Sequence, residues 1–130
     1  MKKLVLGLIA AVALSTPALA DEVVSLVGTW SGPGEGVSIQ EGWRDGPAKI
    51  VVEEQKGRAF KAKVVYQKAD GSEGEADLLG AVAPDGKTIV MAQDDGHLIA
   101  NLQSPDVLDI CYLETGDDAM AVCSRLDRQK

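Results

Sequence analysis

Turn signals recur along this chain at intervals that leave room only for short strands between them. The runs between these signals are rich in valine, isoleucine and alternating apolar and polar residues. An Asp-Gly pair between two such runs is the strongest short-range indication of a β-hairpin, and no segment after residue 20 has convincing helical periodicity. The pattern predicts an all-β meander of roughly eight antiparallel strands. The signals are Asp45-Gly46, Lys56-Gly57, Asp70-Gly71, Asp85-Gly86, Asp95-Gly96, Ser104-Pro105-Asp106 and Gly116-Asp117.

The register of each hairpin can be tested, because residues that oppose each other across a turn share one face of the sheet. A turn at Asp85-Gly86 opposes Gly80 to Met91, and a turn at Asp95-Gly96 opposes Met91 to Ala100. The two turns therefore select the same inward face independently. Continued through the other turns, this alternation predicts an interior of Trp30, Phe60, Tyr66, Leu78, Val82, Met91, Gln93, Leu98, Leu102, Leu108, Ile110 and Tyr112.

The hairpin around Lys56-Gly57 allows two registers. A two-residue loop there opposes Lys49 to Val64, whereas a register shifted by one residue opposes Ile50 to Val64. The second register keeps apolar residues on one face, so it predicts a three-residue loop with Gly57 in the left-handed conformation.

The two cysteines lie on the last predicted hairpin. The turn around Gly116-Asp117 places Cys111 directly opposite Cys123, where α-carbons are close enough for a cross-strand bond. Tyr112 takes the inner face, so we expect a disulfide on the outer face.

One continuous apolar face across this many strands must be covered, and no helix is available to cover it. A sheet that closes on itself solves this problem and removes its edges. We therefore predict an eight-stranded antiparallel up-and-down barrel, with a small β-sandwich as the alternative.

The segment Gly28-Thr29-Trp30 at the start of this meander resembles the Gly-x-Trp signature of the calycin barrels, which include lipocalins, avidins and small bacterial protease inhibitors. The resemblance implies that Trp30 packs at one end of the barrel against an arginine near the end of the last strand. Arg128 shares the inward parity of that strand and is the candidate, and Gly28 would permit the close approach. Gly32 and Gly36 would let the first strand bend or loop away.

The chain departs from two members of that group. Avidin-like chains follow Gly-x-Trp with an asparagine and a serine that hold biotin, and here those places fall on Gly32 and about Gly36. The cysteine placement of the protease inhibitors does not match the terminal hairpin either.

The first twenty residues have the features of a secretory signal peptide. Lys2 and Lys3 precede an apolar run, and Ala18-Leu19-Ala20 forms a small-residue cleavage site before Asp21. We therefore expect a single exported domain of residues 21–130, periplasmic or secreted, with no membrane span. Without the two leader lysines, 11 basic residues stand against 20 acidic ones, a net charge of −9. Such a charge argues against nucleic acid as a partner.

No catalytic or metal-binding constellation emerges from the residue pattern, so a non-catalytic protein is favoured and no cofactor is expected. His97 is the one histidine of the chain, and it is predicted to lie on the outer face opposite Asp94. A single histidine does not make a zinc site without other ligands that converge on it.

Two functions remain open. In the first, a small, partly apolar ligand binds inside the barrel, with Tyr66, Gln93, Tyr112 and Met91 as the binding residues. A filled interior is the competing interpretation, because an eight-stranded barrel is only just wide enough to hold its own side chains or one small ligand. In the second, the chain binds an exported protein, for example as a hydrolase inhibitor that acts through its rim or through residues 21–26. A structural role in the cell envelope is a further alternative.

Overall fold

The computed structural model describes residues 22–68 and 70–130 of the chain. Each strand pairs antiparallel with the next, and β1 pairs with β8, so the sheet forms a closed barrel. The predicted eight-stranded up-and-down barrel is therefore confirmed. The predicted signal peptide, residues 1–20, lies outside the described residues. The strands are β1 Gly28–Ser38, β2 Gly42–Lys56, β3 Ala59–Gln67, β4 Glu73–Val82, β5 Thr88–Ala92, β6 Gly96–Ser104, β7 Val107–Glu114 and β8 Met120–Arg128.

The two ends of the barrel differ in the segments that meet there. The odd-numbered connections, residues 39–41, 68–72, 93–95 and 115–119, lie at one end, which we call the mouth. The even-numbered connections lie at the other end, together with the lead-in residues 22–27 and the last residues 129–130, and we call this the closed end. These connections are residues 57–58, 83–87 and 105–106. Within residues 22–68 and 70–130, no helix is long and apolar enough to cross a membrane.

The predicted pairing of the β5–β6 hairpin is wrong by two residues. Met91 opposes Leu98 rather than Ala100, and His97 opposes Ala92 rather than Asp94. The shift is even, so every side chain keeps its predicted face. The Asp95-Gly96 pair predicts a turn at Gly96, whereas this glycine is the first residue of β6. A Cβ at Gly96 would lie 2.6 Å from the Leu113 carbonyl oxygen, so this glycine allows strands to approach closely.

The β2–β3 hairpin has the predicted pairing in its body but not the predicted loop. Ile50 opposes Val64, as expected. A β-bulge between Val52 and Glu54 then shifts the register by one residue, and Lys56 opposes Ala59 across a two-residue loop. Gly57 has the predicted left-handed conformation, with φ of 58°.

The first hairpin turns earlier than Asp45-Gly46 indicates. Both residues lie within β2 and pair with Glu35 and Gly34 of β1. The chain reverses instead at residues 39–41, where the Glu41 amide donates to Ser38 Oγ at 2.9 Å. β1 is also continuous, so the glycines from Gly32 to Gly36 do not break it.

The apolar core fills the barrel from the closed end to about its middle. The predicted interior omits several of its members, although alternation along the predicted strands places Ile50, Ile89 and Leu126 on the inward face. Leu26 precedes the first predicted strand, so alternation gives no prediction for it. Leu26, Ile50, Ile89 and Leu126 are all buried, whereas the predicted Tyr66 is 45% exposed. The buried apolar residues are Leu26, Trp30, Ile50, Val52, Phe60, Ala62, Leu78, Val82, Ile89, Met91, Leu98, Ala100, Leu108, Ile110 and Leu126.

Trp30 and the segment before β1 seal the closed end. The Trp30 side chain is 1% exposed, and its Nε1 donates to the Leu26 carbonyl oxygen at 2.9 Å. Leu26 is itself buried, and its amide donates to Gln55 Oε1 at 2.7 Å. The indole thus buries a large apolar surface and still satisfies its single donor. The lead-in segment is docked on the barrel from Val24 onward, since Gln55 Nε2 donates to the Val24 carbonyl oxygen.

Arg128 lies directly opposite Trp30 in the β1–β8 ladder. Its guanidinium carbon is 4.4 Å from the centroid of the Trp30 ring, within the range of a cation–π contact. The guanidinium also donates to the carbonyl oxygens of Val27, Ser25 and Pro105 at 2.7–2.9 Å. One side chain therefore joins the lead-in segment, the first strand and the β6–β7 loop.

The predicted disulfide between Cys111 and Cys123 is present. The two residues oppose each other in the β7–β8 ladder with their α-carbons 4.1 Å apart. The neighbouring inward position is Tyr112, so the bond lies on the outer face. It staples the last hairpin to itself and takes no part in the interior.

Replacement of Arg128 by alanine should lower the free energy of unfolding by about 2 kcal/mol, because the cation–π contact and three hydrogen bonds are lost together. Arg125→Ala is the matched control, since Arg125 pairs only with Asp109 on the outer face. Urea denaturation of both variants measures the difference. Equal unfolding midpoints for the two variants would contradict the role given to Arg128.

Replacement of both cysteines by serine should lower the free energy of unfolding by about 2–3 kcal/mol, because the bond closes a short loop in the unfolded chain. Circular dichroism of the variant should still show the barrel, since the staple lies outside the core. An unchanged urea midpoint would show that the disulfide does not stabilise the fold.

Candidate functional site

The half of the barrel next to the mouth encloses a cavity of about 410 Å³. Its floor is apolar and consists of Ile50, Leu98, Ile110 and Leu126, which are all buried and lie on the Trp30 side of the cavity. This volume lies within the 300–1,000 Å³ typical of small-molecule sites. The interior is therefore neither filled nor hollow throughout: it is packed at the closed end and open at the mouth.

Small inward residues explain why the mouth half is open. Large apolar side chains fill the inward positions near the closed end, but the same strands carry glycine, alanine or serine further along. The small inward positions include Gly34, Gly36, Gly46, Ala48, Gly74, Ala76, Gly96 and Ser124. Side chains of this size cannot reach across an eight-stranded barrel, so space remains between the walls.

Two tyrosine rings lie along the wall of this cavity. A Cβ at Gly74 would lie 2.6 Å from the Tyr66 ring, which therefore covers that glycine from the adjacent strand. A Cβ at Gly96 would lie 2.8 Å from the Tyr112 ring in the same way. Each glycine therefore lets a tyrosine ring approach the backbone more closely than a side chain at that position would allow.

A chain of hydrogen bonds runs along one wall. Gln93 Nε2 donates to the Tyr112 hydroxyl at 2.8 Å, and that hydroxyl donates to Glu114 Oε2 at 3.0 Å. All three residues line the cavity. A polar side chain inside a barrel needs a hydrogen-bond partner, and Tyr112 is that partner for Gln93.

Burial raises the pKa of the Tyr112 phenol to about 12, and the hydrogen bond and negative charge of Glu114 add to the effect. Ionisation of the phenol would place a second negative charge beside the carboxylate. The hydroxyl therefore keeps its proton at physiological pH, and Glu114 accepts it as a hydrogen bond.

Glu114 was missed from the sequence although the alternation of β7 predicts its position. It lies two residues after Tyr112 and must share its inward face. The predicted interior consists almost entirely of apolar and aromatic residues and does not include this charged residue. The arrangement Gln93–Tyr112–Glu114 explains how the carboxylate is accommodated there.

Arg44 is a basic residue that lines the cavity near its rim. Its Nη1 lies 3.2 Å from Glu41 Oε2, with which it forms an ion pair, and 3.9 Å from the sulfur of Met120. Glu41 is in the turn that ends β1, so Arg44 is held towards the rim and away from the apolar floor.

The predicted site residues fall into two groups. Tyr66, Gln93 and Tyr112 line the same cavity, although they come from β3, the β5–β6 loop and β7, respectively. Met91 does not line it, because it is buried in the packed core opposite Gly80 and Leu98. His97 is exposed on the outer face. Within the described ranges, no group of three His, Cys, Asp or Glu residues is placed to hold a metal ion.

Comparison with known proteins gives likenesses of structure but not of sequence. No protein-family model matches the chain, and no curated protein matches it either. A redesigned β-barrel superimposes with a TM-score of 0.62 and 13% identity, over 84% of this chain and 96% of that one.

Two further structures share the architecture. A de novo designed fluorescence-activating β-barrel has a TM-score of 0.54 and 16% identity, over 85% of this chain and 100% of that one. An S-type phycobiliprotein lyase from Guillardia theta has a TM-score of 0.52 and 12% identity, over 81% of this chain and 89% of that one. At these identities the likeness shows the fold, which is the eight-stranded antiparallel barrel.

Proposed function

We propose that this chain is an exported, calycin-like barrel that binds one small, partly apolar molecule in the cavity at its mouth. The observation that carries the proposal is the composition of that cavity. An apolar floor meets a single hydrogen-bonded wall formed by Gln93, Tyr112 and Glu114. A mostly apolar pocket with a few polar groups that fix orientation is the usual form of a small-molecule site.

The closed end supports the calycin-like part of the proposal. Gly28-Thr29-Trp30 opens β1, and Arg128 from the end of β8 packs on the indole. Gly28 has φ of 136°, and the aliphatic stem of Arg128 lies 3.7 Å from where its Cβ would be. A side chain at this position would be strained by the positive φ, although its Cβ would make only an ordinary van der Waals contact with the arginine.

Binding is favoured over catalysis by the groups that line the cavity. The one histidine of the chain, His97, faces outward, so the cavity has no imidazole base. The Tyr112 phenol is held protonated, with its pKa at about 12, and serves as a hydrogen-bonding group rather than a base. In this proposal Tyr66, Gln93 and Tyr112 orient the ligand.

The proposal predicts that a small neutral fluorophore, 1-aminoanthracene, binds the protein at one site with enhanced emission. Ala48→Phe should weaken this binding at least tenfold, because Ala48 is inward-facing and a phenyl ring there fills the cavity. Fluorescence titration measures the affinity of each variant.

The matched control is Ala92→Phe, which adds the same ring at an exposed position of β5. It should bind the fluorophore as the unmodified protein does. Equal weakening by both variants, at equal thermal stability, would place the binding site elsewhere. Absence of any binding to the unmodified protein would count against the proposed function.

Export predicts that the mature protein begins at Asp21. Expression of the full chain in a bacterium, followed by isolation of the periplasmic fraction, should give a species whose intact mass corresponds to residues 21–130 with the disulfide formed. Intact-mass spectrometry with and without reduction provides the measurement. The disulfide supports export, because such bonds persist in oxidising compartments. A cytoplasmic product that keeps residues 1–20 would contradict export.

A further inference from the structure

The two ends of the barrel differ in charge. The mouth connections carry one basic residue, Lys68, and a set of acidic ones, whereas the closed-end connections carry two acidic and two basic residues. Any charged molecule that approaches the cavity must pass the mouth, and a ring of one sign raises the local concentration of the opposite sign. The acidic residues of the mouth are Glu41, Asp70, Asp94, Asp95, Asp117 and Asp118.

The basic residue at the rim does not cancel this asymmetry. Arg44 forms its ion pair with Glu41 at 3.2 Å, so the two contribute little net charge. The aspartates of the β3–β4, β5–β6 and β7–β8 connections remain, set against Lys68 alone.

The part of the cavity wall around Tyr112 carries the same negative sign, whereas the basic residues Arg44 and Lys49 line the β2 side. Glu114 lines the cavity, and its oxygen Oε2 accepts the Tyr112 hydroxyl. Asp95 lines it too. Both carboxylates contribute to the raised pKa of the Tyr112 phenol, as expected where the potential along this wall is negative. A carboxylate in a partly desolvated cavity attracts a cation more strongly than one on an open surface.

The tyrosine rings complete a surface that suits a cation with an apolar body. Tyr66 and Tyr112 both line the cavity, and the hydroxyl end of each ring lies against a wall glycine. Aromatic faces attract organic cations, and recognition of quaternary ammonium groups commonly uses them. Beyond the rings, the floor at Ile50, Leu98 and Ile110 offers only apolar contact.

We infer that the ligand of this cavity is a cationic amphiphile, an organic ammonium whose apolar body rests on the floor and whose charged group lies beside Glu114. The inference builds on the proposed function and adds the chemical class of the ligand. The carboxylate forms an ion pair with the ammonium group, the tyrosine rings pack against that group, and the acidic mouth attracts the ligand towards the cavity.

Three probes of equal chain length test the head group alone: octyltrimethylammonium, octanol and octanoate. Isothermal titration calorimetry at neutral pH and physiological ionic strength should give the tightest binding for the ammonium and the weakest for the carboxylate. Glu114→Gln should weaken binding of the ammonium about tenfold and leave binding of the alcohol unchanged, because only the Coulombic attraction between the carboxylate and the quaternary ammonium is lost. The glutamine keeps a carbonyl oxygen for Tyr112, so the wall is preserved.

Glu35→Gln is the control, because it removes the same charge from the outer face of β1. It should leave the affinity of all three probes within twofold of the unmodified protein. Equal affinity for the three head groups, preference for octanoate, or equal effects of the two glutamine variants would overturn the inference.

These outcomes are separable from failure of the proposed function. If the neutral fluorophore binds and Ala48→Phe abolishes its binding, the cavity is a ligand site whatever the probes show. If neither the fluorophore nor any probe binds, the proposed function itself fails. Binding of the fluorophore without any of the octyl probes overturns only the assignment of ligand class.

Discussion

Closure of the sheet through the β1–β8 ladder is the constraint on which the rest of the structure depends. A single sheet with one apolar face has no partner layer here, so it can bury that face only by joining its first strand to its last. Gly32 and Gly36 make the close approach possible, since a Cβ at either would lie within 2.3 Å of a carbonyl oxygen of β8. The contact of Arg128 with Trp30 then fixes this seam at the closed end, where the core begins.

The same strands build a packed half and an open half by changing the size of their inward residues. Near the closed end, Trp30, Leu78 and Leu126 are almost completely buried. Towards the mouth, glycines and alanines replace them, and the rings of Tyr66 and Tyr112 lie close against glycines of adjacent strands. The large residues supply the stability that an open cavity forgoes, because each buried apolar side chain contributes roughly 1.5–3 kcal/mol. A packed closed end and an open mouth thus coexist in one small barrel.

Much of the fold was predictable, because alternation and turn chemistry depend on neighbouring residues. In addition, two hairpins that share a strand must select the same inward face of that strand. The pairing of Cys111 with Cys123 follows from the hairpin register. Parity selects Arg128 as the arginine that the calycin resemblance implies beside Trp30. The errors concern glycines with more than one physical role. Gly96 and Gly46 look like turn residues in the sequence, yet one admits a tyrosine ring and the other lies within a long strand. The cavity was harder to predict, since its volume depends on which inward positions carry small side chains.

The central claim is that a small molecule enters the barrel through the mouth and rests on the floor of the cavity. The five isoleucines after residue 20 report on it directly, because Ile50 and Ile110 line the cavity, Ile89 lies in the packed half, and Ile39 and Ile99 are exposed. A methyl NMR titration of isoleucine-labelled protein with 1-aminoanthracene should shift Ile50 and Ile110 and show nuclear Overhauser contacts from them to the ring protons. Contacts confined to Ile39 and Ile99, or no contacts at all, would contradict the account.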